Sequence, residues 1–201
     1  MFLFAHTGIA LGAVWLFQES ADACSVNGAA SKSTAAVPKA FCRTMAWVSG
    51  LHIDYRLLAL GSMLPDLIDK PVGHWIMGSL FSNGRIFAHT GVFFLVVAIA
   101  GLWRTICPGK LGWLSIAVGV LFHLLLDSMW STPRVLLWPL YGWAFEQIDL
   151  SNWFSESLAE LVSKPGTYVP EVIGASMLAL FLARLKQRGQ FLRFLKAGVR
   201  P

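Results

Sequence analysis

Apolar residues gather into five runs along the chain, separated by polar or helix-breaking stretches. The first, Phe2 to Phe17, ends at Gln18-Glu19-Ser20 and is short for the roughly 20 residues a membrane helix needs. The second, Tyr55 to Leu64, is shorter still and is expected to stop at Pro65-Asp66, because proline removes a helix hydrogen bond. Ile86 to Ile106 is the third, closed by a tight turn at Cys107-Pro108-Gly109-Lys110; Leu111 to Trp130 is the clearest full-length span. Pro133 and Trp138-Pro139 then break the chain into an aromatic region. From Asn152 to Val162 the pattern is amphipathic, with Trp153, Phe154, Leu158, Leu161 and Val162 on one side and Glu156 and Glu160 on the other. Val169 to Leu185 is the last run, followed by a basic tail over 186–201. The Ser/Ala/Gly-rich stretch over 19–50 reads as a loop. The pattern predicts an all-α polytopic membrane bundle of about four to five segments, forming one domain over residues 1–201.

Composition agrees with a membrane setting. Of the 201 residues 56% are hydrophobic and 13% charged, against about 25% charged in soluble domains. The net charge of +5 does not imply nucleic acid, since the basic residues flank apolar runs. Alternate threading with the tail inside puts twelve of the Lys and Arg residues on the cytoplasmic side. Only Lys70, Arg85, Arg134 and Lys164 fall outside. By the positive-inside rule the C-terminus is cytoplasmic. The Phe2 to Phe17 run has no basic leader and is read as a mature segment rather than a cleaved signal. Cys24, Cys42 and Cys107 form no ligand or disulfide spacing.

Five polar residues interrupt these apolar runs: His6, Asp66, His89, His123 and Asp127. The same threading puts them all toward one membrane face. Ionisable groups at membrane depth are costly and pair, bind ions or serve a pathway, and imidazole with carboxylate is a zinc donor set. His123 and Asp127 are four apart, on one face of a helix; the alternative is a hydrogen bond that satisfies two buried groups. Asp69, three residues after Asp66, is expected to support a ligand, or else to cap the turn or pair with Lys70 or Arg85. Thr90 beside His89 offers a supporting hydroxyl. The string Phe-Ala-His-Thr-Gly occurs twice, at residues 4–8 and 87–91, which marks either two equivalent ligand helices or a chance repeat in a short window. His52 and His74 fall outside the set.

Together, FAHTG near the N-terminus, LPDLID, RIFAHTG and HLLLDSMWSTPRVLLWPL resemble the YdjM family of bacterial inner-membrane proteins, described as membrane-bound metal-dependent hydrolases. The resemblance spans residues 1–145, skipping the Ser/Ala loop. More distantly the order of ligands is similar to that of the helical zinc phospholipases C and zinc-dependent single-strand nucleases. That resemblance implies Asp66, His89, His123 and Asp127 around one ion, and His6 with Asp127 at a second. No histidine follows His123, so the soluble enzymes' later ligands are missing and one or two ions are expected. The implied function is hydrolysis of a phosphoester, with phospholipid as a candidate substrate, near the periplasmic face of the bacterial inner membrane. Asp66 is the expected bridging or proton-accepting carboxylate, and Arg85 the group that offsets developing charge. Trp130, Trp138, Tyr141 and Trp143 are expected at head-group depth, among membrane lipid. The competing class is a non-enzymatic metal-binding, transport or structural membrane protein.

Overall fold

The computed structural model describes residues 3–30, 53–106, 111–147 and 152–201. Every regular element among them is helical: α1 (Leu3–Ala30), α2 (Tyr55–Pro71), α3 (Gly91–Ile106), α4 (Leu114–Leu126), α5 (Trp153–Ser163), α6 (Pro165–Gln187) and α7 (Phe191–Ala197). A π-helical turn at Val72–Ile76 and one-turn helices at Gly78–Phe81 and Pro133–Leu136 fill the connections. The expected turn at Cys107–Lys110, the 31–52 part of the loop, Cys42 and His52 lie outside the described residues.

Several boundaries differ from expectation, and the run expected as the clearest full-length span, Leu111 to Trp130, is α-helical only over Leu114–Leu126. α1 continues past Phe17 to Ala30. α2 does not stop at Pro65 but runs to Pro71. Pro65 has no N–H to offer the carbonyl one turn earlier, yet packing of α2 on α4 and α1 carries the helix through. α3 begins at Gly91 rather than Ile86, because the preceding backbone is drawn onto Asp69 instead of into helix. By length and composition, one described helix, α6, is long and apolar enough to cross a membrane; α3 and α4 are shorter apolar helices. A single such helix does not establish four to five spans.

Two close helix contacts set the frame. Where α1 crosses α6, a Cβ on Gly8 would sit 1.9 Å from the Gly174 carbonyl oxygen; where α2 crosses α4, one on Gly61 would sit 2.2 Å from that of Ile116. Backbones this close require glycine, and small residues at crossings are how apolar helices gain packing where lipid gives no hydrophobic drive. Leu11, Trp15, Tyr55, Leu58, Phe181 and Leu185 fill the core between α1, α2 and α6. Val120, Leu124 and Met129 form a second core with α3.

The bundle has two polar ends. At one, Gly198 gives its carbonyl to Tyr55 N (2.9 Å), Arg56 reaches the Leu195 carbonyl (2.9 Å), Arg188 lies 3.7 Å from Glu19 and Arg200 pairs with Asp22. The basic tail is thus folded against α1 and α2. The other end holds the first turns of α1 and α6, the last turns of α2 and α4, and the approach to α3.

Candidate functional site

Each of the five polar residues arrives at that second end from a different local structure. His6 is in the first turns of α1, whose Phe4 and Ala5 N–H groups are accepted by the Glu171 carboxylate of α6 (3.1 and 3.2 Å). An acidic side chain at a helix N-terminus satisfies donors with no partner in the helix itself. Asp66 lies on the last turns of α2. His123 lies in the last turn of α4, and Asp127 directly follows that helix. His89 lies in the irregular Arg85–Thr90 approach to α3.

Asp69 organises that approach. Fully buried, it accepts from the backbone N–H of Ile86 (2.8 Å), Ala88 (2.9 Å) and His89 (3.1 Å), and from His89 Nδ1 (2.7 Å). The pairing of Asp69 with Lys70 or Arg85, one expectation from sequence, is not what is observed. Lys70 Nζ binds Asp66 Oδ2 (2.6 Å) and an Arg85 guanidinium nitrogen binds Asp127 Oδ2 (2.9 Å). Thr90 caps α3, its hydroxyl oxygen accepting from Phe93 N (3.1 Å).

The three imidazoles and two carboxylates meet. His89 Nε2 lies 3.2 Å from His123 Nε2 and 3.5 Å from Asp66 Oδ1, and His123 Nε2 lies 3.8 Å from the same oxygen. His6 Nε2 is 3.1 Å from Asp127 Oδ1, and its ring stacks on His123 with centroids 4.1 Å apart. All three histidines are buried. Two groups of donor atoms result, Asp66/His89/His123 and His6/His123/Asp127, each within 4.8 Å and each able to hold a metal ion.

The chemistry of the donors fits such an ion. His123 Nδ1 faces the Ser62 carbonyl (2.8 Å), an acceptor, so that nitrogen carries the proton. His89 Nδ1 faces the Asp69 carboxylate and must do the same. With both rings neutral, two Nε2 lone pairs would face each other across 3.2 Å, an arrangement that repels unless a proton or a cation lies between them. A tetrahedral zinc with ordinary bond lengths separates neighbouring ligand atoms by about 3.3 Å. The observed spacings of 3.2, 3.5 and 3.8 Å bracket that value.

A family model for the YdjM inner membrane protein matches residues 23–191. This chain belongs to the YdjM inner membrane protein family. The match covers Asp66, His89, His123, Asp127 and Glu171 but begins after His6, whereas the resemblance read from the motifs ran over 1–145. No curated protein and no solved structure matches the chain.

Ser62, Lys70 and Glu171 were not singled out from sequence as parts of this site. Glu171 left a readable signal, a lone acid at the start of the last apolar run. Ser62 acts through a backbone carbonyl, which no residue type announces.

Proposed function

We propose that this YdjM-family chain is a metal-dependent phosphoester hydrolase of the bacterial inner membrane, forming a single multi-pass domain. The observation that carries this reading is the convergence of His6, His89 and His123 with Asp66 and Asp127, two of the rings oriented by acceptors on their far nitrogens. Such outer partners fix the tautomer and raise ligand basicity. Asp66, His89 and His123, with Asp127 nearby, would hold one divalent ion, and His6, His123 and Asp127 a second. Zinc suits imidazole with carboxylate best.

A bound divalent ion lowers the pKa of a water and polarises a phosphoryl oxygen. The chain's own groups supply the rest. Asp66 accepts the proton from the attacking water, and Arg85 stabilises charge developing on the phosphoryl oxygens. Asp69 and Ser62 orient two rings, and Thr90 fixes the start of α3 beside His89. The exposed Trp130, Tyr141 and Trp143 suit head-group depth and put phospholipid within reach as a substrate. The charge asymmetry supports a periplasmic site with the C-terminus in the cytoplasm, and the basic tail lies at the end of the bundle away from the cluster.

One observation favours a second reading. Both site carboxylates already have a cationic partner, Lys70 or Arg85, as they would in a cluster that only joins helices. Elemental analysis of protein purified without chelator separates the two. The hydrolase reading expects about one equivalent or more of zinc-like metal in wild type, lost in His123→Ala; metal-free wild type from metal-replete cells refutes it. Phosphodiesterase and lipid-hydrolysis assays with and without chelator then distinguish an enzyme from a metal carrier.

A further inference from the structure

The two cations at the cluster have a geometry that pairing alone does not require. Asp127 and Asp66 are nearly closed off from solvent, with side chains 3% and 11% exposed, while their partners Arg85 and Lys70 are 42% and 36% exposed. The cations therefore form the boundary between the buried donors and the outside. They share one rim: Gly84, the neighbour of Arg85, packs on the Lys70 stem and the His74 ring, with Lys70 Cγ 3.6 Å from the position a Gly84 Cβ would take. Asn83 fixes this rim, accepting from Arg85 N (2.9 Å) and donating to the Glu146 carbonyl (2.7 Å).

Charge says what such a rim admits. Among the described residues, Asp66, Asp69 and Asp127 lie around the imidazoles, with Lys70 on Asp66 and Arg85 on Asp127 at the rim. A divalent ion held among these donors would add two positive charges and favour an anion at the rim. The geometry points to Lys70 and Arg85 as the paired anion-recognition groups of the site, which grip the phosphate group of a substrate as it reaches the metal-loaded cluster. This rests on the hydrolase reading and deepens it. Lys70 gains a recognition role, and phosphate becomes the chemistry recognised, whether carried by a lipid head group or free. A guanidinium presents paired donors to phosphate oxygens, and the ammonium adds a point charge.

The test is binding rather than turnover. Inorganic phosphate is titrated calorimetrically into zinc-loaded and metal-free protein in detergent, for wild type, Lys70→Met and Lys70→Arg, with metal content and thermal unfolding measured on each. The inference expects phosphate to bind the loaded wild type more tightly than the metal-free protein. It also expects affinity at least about tenfold weaker in Lys70→Met, as loss of one hydrogen bond to a charged group implies. Lys70→Arg should keep the affinity within about threefold, since it preserves the charge. A folded, metal-loaded Lys70→Met with wild-type phosphate affinity overturns the inference and leaves the hydrolase reading standing. Wild type that takes up no metal overturns both. Repeating the titration with phosphatidic acid in nanodiscs assigns the source: binding tighter than inorganic phosphate supports a lipid head group, and equal or weaker binding supports a free phosphate.

Discussion

Replacing Asp69 by asparagine tests whether one buried carboxylate holds the His89 approach in place. The amide can keep its oxygen where Oδ2 now accepts from Ile86 N, His89 N and His89 Nδ1. Its NH2 group then takes the place of Oδ1, so the Ala88 N–H, now shared between Oδ1 at 2.9 Å and Oδ2 at 3.0 Å, keeps only the second acceptor and meets a donor at the first. One of the two acceptors of the Ala88 N–H is replaced by a donor, and the bonds that remain run to a neutral oxygen instead of a charged one. The combined cost is about 2–4 kcal/mol, a large share of the roughly 5–15 kcal/mol that stabilises a folded domain. Asp69→Ala would orphan all four donors and is expected not to fold, so the amide is the informative variant. Because Asp69 also sets the His89 tautomer, metal affinity should fall about 10- to 100-fold. Equilibrium unfolding in mixed micelles reads the first effect and competition with a fluorescent zinc chelator reads the second. A variant within about 0.5 kcal/mol of wild type, the scale of an unremarkable surface change, with unchanged metal affinity, refutes the organising role of Asp69.

Other consequences follow from single contacts. Gly8→Ala puts a methyl within 1.9 Å of the Gly174 carbonyl oxygen, so α1 and α6 must separate; a loss of about 2 kcal/mol or more by thermal unfolding is expected, and wild-type stability would refute the close crossing. If metal binds only the folded state, chelation should lower the melting temperature, since a ligand at a hundred times its dissociation constant contributes about 2.7 kcal/mol; an unchanged melting curve in a metal-containing sample argues against that coupling. Asp54 caps α2, and although burial raises its pKa, hydrogen bonds from the Arg56 guanidinium and from the Arg56 and Leu57 N–H groups outweigh that and lower it. Its stabilisation is therefore full above the unfolded value of about 3.9 and is lost as pH falls through the depressed folded value. Asp54→Asn, which keeps a capping side chain, should flatten that acid limb, and an identical pH–stability curve would remove Asp54 from the account.

Much of the site was legible because the chemistry was isolated. His6, Asp66, His89, His123 and Asp127 interrupt runs of apolar residues, and threading those runs alternately brings helix starts and helix ends to one place. The bundle joins these five side chains at one end. What could not be read were contacts that depend on close approach. Pro65 resembled a stop because local propensity carries no information on the α2–α4 crossing that holds the helix through it. Lys70 and Arg85 were expected as partners for Asp69, and only distance shows them on Asp66 and Asp127 instead. Nothing in the letters around Glu171 points to the first turn of α1, whose amides it accepts.

The duplicated FAHTG string shows why identical letters do not predict identical structure. At residues 4–8 the string lies inside α1: Glu171 satisfies its first amides, His6 reaches Asp127, and Gly8 admits the backbone of α6. At residues 87–91 it lies before a helix. There Asp69 collects the amides of Ala88 and His89, and Thr90 caps α3. His89 Nε2 turns toward His123 and Asp66. Both copies deliver an imidazole to the same cluster, and in both a carboxylate from another helix accepts the local backbone amides. The carboxylates come from different distances along the chain, Glu171 from the far end and Asp69 from 17 to 20 residues earlier. The shared requirement is thus a buried anion for each unsatisfied turn, and that requirement, rather than the repeated string, makes the two histidines comparable. Exchanging Glu171 for glutamine should accordingly weaken the hold on His6 as Asp69→Asn weakens the hold on His89. Metal titration of the two variants side by side measures both, and a loss confined to Asp69→Asn would show that α1 needs no such anchor.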